Sequence, residues 1–115
     1  MVNDLGRVLD VLADPTRRHV VEVLGGGPRR AGELAATAGL SAPAMSRHLR
    51  ILLEHGIVRD ERDPDDARRR VFRLRPEPFV ALQAWLDQTQ AGWNEQLGAF
   101  RNHVEQTTRA RDRER

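Results

Sequence analysis

Leu5, Val8, Leu9 and Leu12 recur at spacings of three and four, so the chain opens on a short amphipathic helix over its first dozen residues. Asp14 can cap a second helix, with Pro15 at the first helical position, where a missing N–H costs nothing. Val20, Val21, Val23 and Leu24 give that helix a buried side, and Gly25-Gly26-Gly27-Pro28 ends it. A third helix, Ala31–Ala38, buries Leu34, Ala35 and Ala38 and stops at Gly39. Ser41 then caps a fourth, Ser41–His55.

The connection between the third and fourth helices, Gly39-Leu40-Ser41, has the length and composition of the turn in a helix-turn-helix unit. After Gly56 the helical period gives way to two short runs rich in β-branched and aromatic residues, Ile57–Arg62 and Arg69–Leu74. Asp63–Ala67 lies between them, so this stretch reads as a hairpin. Pro76 and Pro78 close it. From about Glu77 to about Glu105 a long helix carries Phe79, Leu82, Leu86, Trp93, Leu97, Phe100 and Val104 at helical spacing. Thr107–Arg115 alternates Arg with acids, has no large apolar residue, and reads as a frayed or disordered tail. The expectation is therefore one mainly α domain with a small β-hairpin over residues 1–106, followed by the tail.

At 115 residues the chain suits one compact domain, and its 39% hydrophobic and 31% charged content is that of a folded protein. No run approaches the ~20 apolar residues a membrane span needs, and no signal segment opens the chain, so a cytoplasmic location without membrane contact is expected. The absence of cysteine excludes disulfides, zinc–thiolate sites and thiol redox sensing. Every Lys+Arg position is Arg, and nine of the 19 fall between residues 41 and 75 against six acids. The net charge of +2 thus gathers in the middle of the chain, which suggests a directed anionic partner.

Within Ser41–His55, Met45, Leu49 and Leu52 form one stripe with Leu53 beside it, and these should face the core. The opposite stripe holds Ala42, Pro43, Ser46, Arg47, Arg50 and Glu54. Small leading residues allow close approach to a major groove. Arg47 and Arg50, one turn apart, offer forks to guanine or contacts to phosphate. His48 stands at the edge of this face, where it could touch a phosphate or hydrogen-bond internally, the second being favoured.

The order helix, helix, helix, turn, helix, hairpin, long helix resembles the ArsR family of winged helix-turn-helix repressors over residues ~5–105. Ala13-Asp14-Pro15-Thr16-Arg17-Arg18, Gly32-Glu33-Leu34-Ala35 and Ser41–Leu52 carry the resemblance. It is nearest to the subgroup with the Ala-Asp-Pro-Thr-Arg-Arg opening and a C-terminal helix marked by Trp85 and Trp93. The resemblance implies double-stranded DNA as partner, with Ser46, Arg47 and Arg50 at bases or phosphates and the hairpin along the neighbouring backbone. The candidate DNA-binding set is Ser41, Ala42, Pro43, Ser46, Arg47, His48, Arg50, Arg68, Arg69 and Arg70. Two positions depart from the family pattern. Ala42 stands where Gln is frequent, and Arg30 stands where Ser or Thr would complete a capping box with Glu33. The run Asp63-Pro64-Asp65-Asp66-Ala67-Arg68 is similar to the wing of the MarR family, in which an aspartate braces an arginine in the minor groove. The acids at the tip therefore either brace an arginine, the favoured reading, or mark a tip that points away from DNA.

Many ArsR proteins sense metals, but Thr89 and Phe100 occupy the positions where inner His ligands would accompany Asp87 and His103, so no metal and no cofactor is expected. Nothing in the sequence specifies a small-molecule effector. No nucleophile–base pair or phosphate loop suggests an enzyme. The long helix, about 29 residues and roughly 43 Å at the α-helical rise, exceeds what one small domain covers. Leu5, Leu9, Phe79, Leu82, Leu86, Trp93, Leu97 and Phe100 are therefore expected at a homodimer interface formed by the first and last helices, which sets two recognition helices about one DNA turn apart on an inverted repeat. The alternative function is a winged-helix module that binds protein without reading DNA.

Overall fold

The protein is described from a computed structural model covering residues 2–113, with side chains from Leu5 onward. Five helices and three strands follow in the order α1 (Val2–Leu12), α2 (Pro15–Leu24), β1 (Arg29–Arg30), α3 (Ala31–Ala38), α4 (Ala42–Glu54), β2 (Val58–Arg62), β3 (Arg70–Leu74) and α5 (Pro76–Arg113). This is a winged helix-turn-helix, mainly helical with a small antiparallel sheet.

The predicted punctuation acts as chemistry at each boundary. Asp14 Oδ1 accepts the backbone N–H of Thr16 at 2.9 Å and of Arg17 at 3.0 Å, capping α2 with Pro15 in its first turn. Ser41 Oγ accepts the Ala44 N–H at 3.3 Å, capping α4. Gly39, at φ 66, takes the left-handed conformation that ends α3, and the Leu40 N–H then reaches back to the Ala35 carbonyl at 3.0 Å. That reversal sets the angle between α3 and α4.

The sheet has the order β1-β3-β2, one strand more than the predicted hairpin. Arg29 pairs with Phe72 and Arg30 with Val71, while β2 and β3 run from Val58 opposite Leu74 to Arg62 opposite Arg70. A strand of two residues leaves no alternation in the sequence, which is why β1 was invisible there.

The core is built from Val11, Val20, Leu24, Leu34, Met45, Leu49, Leu52, Ile57, Val58 and Phe72. Leu34, Leu52, Val20 and Ile57 have no measurable exposure. The predicted stripe of α4 is therefore its buried face. Fully burying a Leu or Ile contributes about 1.5–3 kcal/mol, so α4 is held mainly by this stripe rather than by its own helix propensity.

The chain divides into two compact units, Met1–Val80 and Ala81–Arg115, where the sequence suggested a single domain to residue 106. In the first, Phe79, expected at the dimer interface, is partly buried and packs against the core of its own chain. Leu5 is half-buried and Leu9 is 42% exposed. In the second, α5 continues to Arg113, through a stretch expected to be frayed, while residues 114 and 115 lie outside the described residues. Gln, Glu, Arg and Ala are good helix formers, and the Thr107 and Thr108 hydroxyls donate to the carbonyls of His103 and Val104, so no break arises. Leu82 is half-buried, but Leu86, Trp93, Leu97 and Phe100 are exposed, and α5 has no buried residue. No described helix is long and apolar enough to cross a membrane.

Candidate nucleic-acid interface

With Met45, Leu49 and Leu52 turned into the core, the geometry of α4 presents its other face outward. Ser41, Ala42, Pro43, Ser46, Arg47 and Arg50 are all exposed. Neither Arg47 nor Arg50 forms an ion pair among the described contacts, which leaves two guanidinium groups one turn apart on an uncovered surface. Small side chains at the N-terminal end and long cations toward the middle suit entry into a groove with the helix start leading. His48 departs from this set. It is half-buried, and its Nδ1 lies 4.0 Å from Asp14 Oδ1, so it faces the α1–α2 junction rather than the outer surface.

The wing is more heavily paired than its sequence implied. Arg70 Nη1 donates to Asp60 Oδ2 at 2.9 Å across the strands, and Arg73 Nε to Glu61 Oε1 at 2.8 Å. Arg69 Nε lies 3.6 Å from Asp66 Oδ2. Asp66 Oδ1 accepts the Arg68 backbone N–H at 3.1 Å, leaving the Arg68 side chain exposed and outside the described ion pairs. Arg62, which was not singled out from the sequence, is likewise exposed and outside them. Asp66 thus shapes the backbone at Arg68 and neutralises Arg69. The two strongest cross-strand pairs tie up Arg70 and Arg73.

Asp63 is the buried charged residue at the root of this loop. Its Oδ1 accepts the Asp65 N–H at 2.9 Å, and its Oδ2 accepts from Arg30 Nε at 2.9 Å and also from Arg30 Nη2. The Asp65 backbone N–H and then the Arg30 guanidinium hold its carboxyl below the ordinary aspartate range. Arg30 also lies at the N-cap of α3, where Glu33 Oε1 accepts its backbone N–H at 3.2 Å. The capping box is half-formed, as expected, because a guanidinium has no acceptor to offer in return. The same side chain instead tethers the wing to the helix-turn-helix. No sequence signal links positions 30 and 63; the pairing arises from β1 lying beside β3.

Among the described residues, no group of three or more His, Cys, Asp or Glu comes together as a metal site. His19 Nε2 lies 3.1 Å from Thr37 Oγ1, and Asp87 Oδ1 accepts from Gln83 Nε2 at 2.9 Å.

The sequence matches the family described as "Helix-turn-helix domain" over residues 12–61, from the end of α1 through β2. It is 42% identical over 81 residues to an HTH-type transcriptional regulator of Mycobacterium tuberculosis, covering 70% of this chain and 73% of that one. The transcriptional repressor SdpR of Bacillus subtilis is 36% identical over 58 residues, 50% of this chain and 64% of SdpR. A crystal structure of an ArsR family transcriptional regulator superposes with a TM-score of 0.70 at 33% identity, covering 82% of this chain and 94% of the other. These relatives carry the names of regulators of transcription, which are not enzymes. The chain belongs to the ArsR family of winged helix-turn-helix, DNA-binding transcriptional regulators.

Proposed function

We propose that this protein is a homodimeric repressor that reads an inverted-repeat operator by placing α4 in the major groove of each half-site. The observation that carries the reading is the division of α4 into a fully buried stripe and an uncovered Ser46, Arg47 and Arg50 face. Ser46 and Arg47 act at bases, Arg50 at base or phosphate, and Ser41, Ala42 and Pro43 permit close approach. Ala42 offers at most a methyl contact, so part of the specificity comes from DNA shape. In the wing, Arg59, Arg62 and Arg68 are exposed and outside the described ion pairs, and Arg62 and Arg68, nearest the tip, are the cations that meet phosphates or a minor groove. Arg69 and Arg70 share their charge with Asp66 and Asp60. This gives the wing a MarR-like use of acids as braces, on a chain of the Ala-Asp-Pro-Thr-Arg-Arg subgroup.

Dimerisation is supported by the exposed apolar side of α5, and repression by the name carried by SdpR. Occlusion of polymerase at the operator needs no ligand, metal or further catalytic group. Selection from a random DNA library tests the reading, with an enriched two-fold motif expected. Arg47→Ala should weaken binding to that duplex by about 1–3 kcal/mol, and affinity should fall steeply with salt. Failure to enrich any motif, as a module that binds only protein would fail, sinks the proposal.

A further inference from the structure

His48, the α4 candidate for DNA contact that does not face outward, occupies a specific place. His48 Nδ1 is the buried side-chain nitrogen without a hydrogen-bond partner among the described residues. At 4.0 Å from Asp14 Oδ1 it is about 1 Å beyond hydrogen-bonding distance. That oxygen is not free to swing toward it, because it already accepts the Thr16 and Arg17 backbone N–H groups at the start of α2. The Arg17 backbone N–H is the main cause of the Asp14 carboxyl lying below its ordinary range. Arg17 Nη1 lies 3.9 Å from Asp14 Oδ2 while its Nε donates to the Val11 carbonyl at 2.8 Å. The end of α1, the cap of α2 and the middle of α4 therefore meet around one carboxylate.

We propose that His48 and Asp14 form a proton-operated latch that positions α4: protonation of His48 closes the gap to Asp14, and DNA binding and protonation favour one another. The proposal rests on the reading that α4 enters DNA. A neutral imidazole with its proton on Nε2 turns an acceptor lone pair toward a carboxylate, which is repulsive. The imidazolium donates from both nitrogens and meets the carboxylate with opposite charge. Phosphates gathered at Arg47, the adjacent residue, and at Arg50 lower the cost of a positive charge on His48. Reciprocity then requires the protonated protein to bind DNA more tightly. The other charged groups at this junction are Arg17 on α2, Arg7 and Asp10 on α1, and His55 at the C-cap of α4, which line an adjoining crevice of about 270 Å³. His48 is thus a positioning residue that acts through the helix carrying Arg47.

The test is affinity for the duplex enriched by the wild-type protein, or for a mixed-sequence duplex if none is enriched. Both are read at constant salt between about pH 6 and pH 8, where histidine changes charge. Wild-type affinity should fall by about threefold or more over that interval, within the ceiling of about tenfold per pH unit for one proton. His48→Gln and Asp14→Asn should both flatten the profile, and His55→Gln should leave it. Asn caps a helix as well as Asp, so Asp14→Asn keeps α2 while removing the charge, and circular dichroism checks that it folds. A wild-type slope that persists in folded Asp14→Asn, or a flat wild-type profile, overturns the latch. Arg47→Ala on the same duplex separates the two readings. Loss of affinity there, with the Asp14→Asn slope unchanged, removes the latch alone, whereas no loss removes the placement of α4 in DNA.

Discussion

Asp63 joins two parts of the molecule through its two oxygens, one holding the turn at Asp65 and the other the guanidinium of Arg30. Its folded value lies below the ordinary 3.8, so the ionised form stabilises the fold at and above that pH, and the contribution disappears as pH falls through the folded value. Asp63→Asn should therefore lower Tm at neutral pH, and the difference from wild type should shrink on acidification below the ordinary value of 3.8. A difference that stayed constant into acid would show that the charge is not what anchors the wing. In the sequence, Arg30 registered only as a residue unable to complete a cap. Its partner stands 33 residues away, and a contact of that kind has no period or spacing to betray it.

At the scale of elements, the caps and stops were the most legible features. Asp14, Pro15, Gly39 and Ser41 act over two or three residues, so their chemistry can be read from neighbours alone. The buried stripe of α4 was legible for a similar reason, since Met45, Leu49 and Leu52 repeat within one helix. What the sequence hid was pairing across elements: β1 against β3, Arg70 with Asp60, and Arg73 with Glu61. The turn gives a clean test of local logic. Gly39 sits at φ 66, and an added Cβ would meet nothing within 4 Å. Gly39→Ala should therefore cost about 1–2 kcal/mol in urea unfolding through backbone conformation alone. Gly32, inside α3 with equally open surroundings, should gain about 0.5–1 kcal/mol from the same change. Equal effects at the two positions would contradict the left-handed assignment.

On the scale of the whole molecule, the second unit is a helix whose large side chains remain uncovered, with Trp93 at 65%, Leu97 at 61% and Phe100 at 66% exposure. Burying each in a symmetric contact would contribute about 1.5–3 kcal/mol, enough to hold a dimer. Sedimentation at micromolar concentration should give twice the 13.1 kDa chain mass, and Trp93→Glu or Phe100→Glu should return it to 13.1 kDa. A wild-type species at the single-chain mass would reject the assembly. The apolar spacing of this helix was legible, but its length was not, because an Arg- and acid-rich segment reads equally well as solvated helix or as tail.

The order of these units along the chain has a consequence for how the protein is made. All the described buried residues lie between Val8 and Phe72. Chains emerge from the ribosome N-terminus first and fold domain by domain. Apart from Phe79 near the start of α5, the core is thus supplied by residues made before that helix, and the exposed apolar positions from Leu86 to Phe100 emerge last. For the proposed dimer, pairing through α5 then follows formation of the core, which limits the time during which a half-made chain exposes both an unformed core and the apolar side of α5.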